Sequence, residues 1–185
     1  MYGALADLLD YPGPDLPARA AAFVAGADGP AAQALAPFAE ALHGFSQGEM
    51  EEIYTRTFDL QPETCLYIGH QLFGEDWRRS MFMARLKHRY GEHGFSCGAE
   101  SPDFLPVVLR FLNAEPQGPE TEELLQQCVI PAAARLLRLL EEKSNPYAAV
   151  LRALLRYAAP DGIHNPELEN LSCRPSSSSF FPILL

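Results

Sequence analysis

The stretches YTRTFDL (residues 54–60), LYIGHQLFGEDWRRSMFMARLKHRYGEHGF (66–95) and SPDFLPVVLRFL (101–112) decide the fold. Set 100° apart, the residues of the middle stretch place Phe82, Met83, Leu86 and Tyr90 on one side of a helix over 75–92. Trp77, Met81, Ala84 and His88 fall on nearly the opposite side. Two apolar stripes mean two contacts, so this helix either lies between two layers or lends its second face to a ligand. A basic edge of Arg78, Arg85 and Arg89 and a polar edge of Asp76, Ser80 and Lys87 separate the stripes. In the last stretch Asp103 is the expected N-cap, with Pro106 tolerated in the first turn, where its missing N–H costs no internal bond. Phe104, Leu105, Val107, Val108, Leu109, Phe111 and Leu112 then cover more than half the circumference, which places this helix near the middle of a bundle.

Working outward, the periodicity stays helical. A short helix over 3–9 stops before Pro12-Gly13-Pro14, and alanine-rich helices over 15–26 and 30–43 follow. Ser46 and Glu49 form an S-x-x-E capping box, predicting a helix from there to about Phe58. The chain breaks at Pro62 and resumes as an apolar turn at Cys65-Leu66-Tyr67-Ile68. A helix over 118–142 should kink or break near Ile130, because Pro131 removes an internal hydrogen bond. Asn145-Pro146 reads as an N-cap followed by a first-position proline. Tyr147, Val150, Leu151, Leu154 and Leu155 form the clearest amphipathic stripe, ended by Pro160-Asp161-Gly162. No run alternates apolar with polar long enough for a strand. The expected class is all-α: a single-domain helical bundle over 1–163, followed by a serine-rich tail (164–185) with the apolar tip FFPILL.

A chain of 185 residues, 48% apolar and 21% charged, suits one folded domain. Its net charge of -10 opposes nucleic-acid phosphates and favours a basic partner, chiefly through encounter rate and orientation. Cys65, Cys97, Cys128 and Cys173 are scattered without a CxxC pair, as expected of reduced thiols. The opening residues carry Asp7 and Asp10 and no basic n-region, and no apolar run reaches the roughly 18 residues of a membrane span. The expected location is therefore the cytoplasm.

Chemistry finds little to use. His88 and His93 are five apart and turn about 140° away from each other on one helix, and with Cys97 they still lack the four ligands of a closed zinc site. His43, His70 and His164 add no ligand spacing. Neither G-x-S-x-G nor a phosphate-binding glycine loop occurs, and the pairs Glu51-Glu52 and Glu122-Glu123 point apart on a helix. The reading is a binding module with no catalytic residue, metal or cofactor of its own. Its spare aromatic and methionine surface suits an amphipathic or extended peptide.

At the same residues the chain resembles the molybdoenzyme assembly chaperones, most closely the nitrate reductase delta-subunit (NarJ) branch of the TorD/DmsD family. The resemblance is carried by Leu8-Leu9-Asp10-Tyr11-Pro12, by Tyr54-x-x-Thr57-Phe58-Asp59-Leu60, and by Leu66-Tyr67 followed by His70. It continues through Gly74-Glu75 to Arg79, Met83, Leu86 and Tyr90, and through Pro102-Asp103-Phe104-Leu105-Pro106 to Phe111-Leu112. It covers roughly residues 5–157. Ser101 stands where the branch usually has leucine, and Arg110 where it usually has glutamate. The resemblance implies an all-helical, non-catalytic chaperone, monomeric or weakly dimeric. Such a protein binds the N-terminal segment of a molybdoenzyme catalytic subunit and assists molybdenum-cofactor insertion before membrane docking or export; cofactor-delivery proteins are further partners it implies. By analogy the peptide groove involves Tyr54, Phe58, Tyr67, His70, Trp77, Met81, Asp103 and Phe104. A helical structural subunit held stably in a redox complex is the alternative.

Overall fold

The computed structural model describes residues 1–27, 29–115 and 118–160. The serine-rich tail, Cys173, His164 and the 163/164 boundary lie outside the described residues. The described chain is helical: α1 (Tyr2–Leu8), α2 (Leu16–Gly26), α3 (Pro30–Leu42), α4 (Gln47–Tyr54), α5 (Ile68–Phe73) and α6 (Trp77–Glu92) lead into α7 (Leu105–Ala114). They are followed by α8 (Pro119–Leu124), α9 (Ile130–Glu142) and α10 (Ala148–Ala158). Among the described residues β structure is limited to one isolated antiparallel bridge, Tyr67 with Phe104. The all-α class therefore stands.

Packing follows the apolar stripes. α10 lies against α3 and α9, α1 against α7 and α2, and α5 against α6 and α9. Leu105, Val108, Leu109, Phe111 and Leu112 of α7 are buried, as are Val150, Leu151, Leu154 and Leu155 of α10. Truncating one such leucine to alanine removes about 3 kcal/mol, because the lost transfer energy is joined by an unfilled cavity. Arg110, on the polar side of α7, donates to Asp7 at 3.0 Å and Asp10 at 2.7 Å, tying α7 to the first helix and the turn after it. The departure at position 110 thus has an internal partner in this chain.

Two local expectations are refined and two are corrected. The helix opened by the capping box ends at Tyr54, and residues 55–59 form a wider π turn, closed by Leu60 N–H donating to the Thr55 carbonyl at 3.0 Å. A second π turn, Leu125–Val129, precedes Pro131. The α-helix is interrupted where a break near Ile130 was expected, and Pro131 sits in the first turn of α9, where its missing N–H is tolerated. Asn145 does not cap α10; Tyr147 occupies that position. Asn145 Oδ1 instead accepts the Tyr147 N–H at 2.9 Å, forming a tight turn ahead of the helix. Asp103 is not the N-cap of α7, which is Phe104; the aspartate is turned inward to an ion pair.

The first π turn is held by a buried polar knot. Thr57 Oγ1 donates to the Ile53 carbonyl at 2.6 Å and accepts from Asn145 Nδ2 at 2.7 Å, while Thr64 Oγ1 donates to the Thr57 carbonyl. Each partner is satisfied, and the knot joins α4 to the α9–α10 connection.

Candidate peptide-binding surface

The loop before α5 and the loop before α7 run past each other antiparallel and meet at the single isolated bridge. Ile68 N–H donates to the Asp103 carbonyl and Leu105 N–H to the Leu66 carbonyl, both at 2.8 Å. This bridge brings the half-buried rings of Tyr67 and Phe104 to 5.7 Å. Behind them Asp103 is fully buried, with Oδ2 accepting from Arg79 Nε at 3.2 Å and Oδ1 from Ser101 Oγ at 2.5 Å. The Arg79 guanidinium also lies 5.5 Å from the Tyr67 ring centre. Gly69 is needed here because a Cβ would come within 2.8 Å of Asp103 Oδ2 and 2.9 Å of Arg79 Cγ. The serine at the departure position 101 therefore serves the aspartate.

α6 presents its two stripes differently. Phe82, Leu86 and Tyr90 are buried, and the Tyr90 hydroxyl donates to the Pro102 carbonyl at 2.8 Å. Met83 is half-buried, its sulfur 3.6 Å from Ser101 Oγ. The opposite stripe faces out: Trp77 is 68% exposed, Ala84 and His88 are exposed, and Met81 is half-buried. The helix is not sandwiched, and its second stripe is available surface. Asp76 caps it by accepting the Arg78 N–H at 2.9 Å. His70 of α5 lies beside it, with Nδ1 3.5 Å from Glu75.

Tyr54 and Phe58 are buried and sit elsewhere, in an aromatic cluster with Tyr147 and Phe38 whose ring centres are 5.0–5.9 Å apart. The Tyr54 hydroxyl donates to the Leu9 carbonyl at 3.3 Å. Burial pushes the Tyr54 and Tyr147 phenols well above their ordinary values, which keeps them neutral and structural. The eight sequence-derived residues thus divide into three settings. Tyr67, Asp103 and Phe104 meet at one junction, His70, Trp77 and Met81 belong to the α5–α6 hairpin, and Tyr54 and Phe58 lie inside the bundle.

Sequence reasoning passed over a cleft of about 520 Å³ between the first π turn and the α9–α10 connection. Ile53, Leu60, Leu140 and Pro146 supply apolar lining, and the Thr57 knot forms its floor. Leu60 is 65% exposed beside it. In the sequence only the capping box and the following Pro62 marked this region, since the opposite wall comes from residues more than eighty positions later.

Nothing in the described region is arranged for bond chemistry. Burial raises the Cys65 thiol and pushes Cys128 up to about 12, so neither is a thiolate at neutral pH. His88 and His93 engage carboxylates, Glu92 at 3.4 Å and the buried Glu115 at 3.0 Å. Among the described residues no group of three His, Cys, Asp or Glu side chains could hold a metal, and no helix is long and apolar enough to cross a membrane.

Comparison with known proteins identifies the family. The chain is 30% identical over 128 residues, 69% of its length, to the nitrate reductase molybdenum cofactor assembly chaperone NarJ of Escherichia coli. It is 33% identical over 151 residues, 80% of its length, to the nitrate reductase-like protein NarX of Mycobacterium tuberculosis. The matched region spans 53% of the first relative and 23% of the second. The profile of the family described as nitrate reductase delta subunit matches residues 25–156, which contain the π turn, the α5–α6 hairpin and the Asp103 junction. This chain belongs to the nitrate reductase delta subunit family.

Proposed function

We propose that the chain is a non-catalytic assembly chaperone for the catalytic subunit of a respiratory nitrate reductase or a close molybdoenzyme relative. It acts in the cytoplasm, holding that subunit's N-terminal peptide while the molybdenum cofactor is inserted, and it lets the subunit proceed to membrane docking or export once loaded. The cofactor is the client's cargo, and the chaperone needs none of its own. The observation that carries this reading is the family match together with an outward apolar stripe on α6, where Trp77 is 68% exposed.

An exposed tryptophan beside Met81 offers a large, adaptable contact for apolar side chains. Tyr67, His70 and Phe104 are half-buried next to this hairpin in sequence and contribute their exposed edges. Asp103, being buried, supports the Tyr67–Phe104 junction from within, whereas Tyr54 and Phe58 serve core packing. Titration of the purified chain with the N-terminal peptide of its nitrate reductase catalytic subunit should give saturable binding with a negative heat-capacity change, the mark of apolar burial. Trp77→Ala should weaken it with an unchanged urea midpoint, whereas Phe82→Ala should mainly destabilise the bundle. Absence of binding at high micromolar peptide would sink the reading. Stable stoichiometric co-purification with the mature, cofactor-loaded enzyme would instead favour a permanent structural subunit.

A further inference from the structure

We infer that the cleft beneath the first π turn binds a small amphiphilic anion, an aliphatic body ending in a phosphate or carboxylate. The site is additional to the client-peptide reading and does not depend on it.

The depth of the cleft and its mouth call for different chemistry. At depth Thr57 and Thr64 are buried, and their hydroxyls already donate to the Ile53 and Thr57 carbonyls. The Asn145 amide is occupied as well, its Nδ2 donating to Thr57 Oγ1 and its Oδ1 accepting the Tyr147 N–H. A ligand body rich in donors and acceptors would find few partners there and would lose its own hydrogen bonds to water. An aliphatic body loses none, and Ile53, Leu140 and Pro146 give it apolar walls. The volume of about 520 Å³ falls within the roughly 300–1,000 Å³ of small-molecule sites.

The mouth supplies the charge. Its exposed lining residues are Arg56, Leu60, Gln61, Lys143 and Ser144, and no carboxylate is among the described residues that line the cleft. Glu52 and Glu63, which lie outside that lining, meet Arg56 at 3.4 Å and Lys143 at 3.1 Å, but these four side chains are 46–71% exposed. Ion pairs at such exposure contribute little. An oxyanion between the two cations therefore exchanges one carboxylate partner for another and adds the burial of its aliphatic body. Gln61 and Ser144 offer an amide and a hydroxyl as further donors. The chain's net charge of -10 opposes an anion at long range, but salt screens it beyond about 8 Å at 0.15 M, so the cations at contact decide.

Decyl phosphate and decanoate, each titrated into the full chain below its micelle concentration, test the site. At least one should bind saturably at one site, raise the urea midpoint and shift the methyl signals of Ile53, Leu60 and Leu140; the tighter of the two identifies the head group. Decanol, with the same body and no charge, should bind roughly tenfold more weakly, and decyltrimethylammonium more weakly still. Arg56→Gln/Lys143→Gln changes exposed side chains and should leave the urea midpoint of the ligand-free chain near that of the parent. It should nevertheless cost the anion about tenfold and decanol almost nothing. Equal affinity for anion, alcohol and cation would reduce the cleft to an adventitious apolar hole and overturn the inference. Shifts centred on Trp77, or tighter binding by an oligoglutamate peptide, would overturn it as well, the latter by making the mouth a dock for an acidic chain. The client-peptide titration fails or succeeds separately, so the two readings are distinguishable.

Discussion

Asp103 has no access to water, and its two oxygens are held by Arg79 and Ser101. A buried carboxylate is tolerated only with such partners, and removing one member of a buried pair strands the other charge. Asp103→Asn should therefore cost about 3 kcal/mol in urea denaturation. Gly69→Ala drives a methyl group to 2.8 Å from the same oxygen, so it attacks the same contact from the other side. The double variant should lose clearly less than the sum of the single losses, because one pair cannot be broken twice. Strict additivity would show that the two positions stabilise the bundle independently. The sequence marks Asp103 as special, since an aspartate before an apolar helix reads as a cap. Its true partner lies 24 residues away, and no local pattern announces an ion pair at that separation.

At the scale of elements, helices were readable because an apolar stripe persists over several turns, as in α6, α7 and α10. The π turns were not. A widened turn of five residues shifts the register once without changing composition, and what holds the first one is a tertiary knot to Asn145. The capping box at the head of α4 is the opposite case, a wholly local device. Ser46 Oγ accepts the Glu49 N–H at 3.4 Å, and Glu49 Oε2 accepts from Ser46 N–H at 2.8 Å and Oγ at 2.7 Å. The Ser46 side-chain and backbone hydrogen bonds hold the Glu49 carboxyl below its ordinary value. A depressed folded-state value contributes stability above the unfolded carboxylate range, and that stability is lost as pH falls through the folded-state value. In Ser46→Ala, an NMR titration should find Glu49 moved back up towards the ordinary range. The deficit in urea midpoint relative to the parent chain should be largest near neutrality and smaller at about pH 3. A deficit of constant size across that window would assign the effect to the lost serine hydroxyl bond alone.

Across the whole molecule the acidic excess acts on folding and on encounter with opposite signs. The cleft was invisible in the sequence because its walls, 53–64 and 140–146, meet only through the fold, but the chain's net charge of -10 was plain. Self-repulsion of that charge destabilises the compact state, and salt relieves it as the Debye length falls from about 30 Å at 0.01 M to about 8 Å at 0.15 M. Salt also weakens ion pairs, yet Asp103 and Glu115, whose side chains are 0% and 4% exposed, are shielded from it. The Arg110 pairs with Asp7 and Asp10 are partly exposed and contribute little to begin with. Relief of repulsion should win, so the urea midpoint at pH 7 should rise over this range of sodium chloride. Association with a basic client peptide depends on the same field drawing the partner in, so its on-rate should fall over the same range. Stopped-flow association and urea denaturation in matched buffers measure the two responses side by side. If the on-rate stays flat while the midpoint rises, the acidic surface acts on folding alone and the peptide is steered by its apolar contacts.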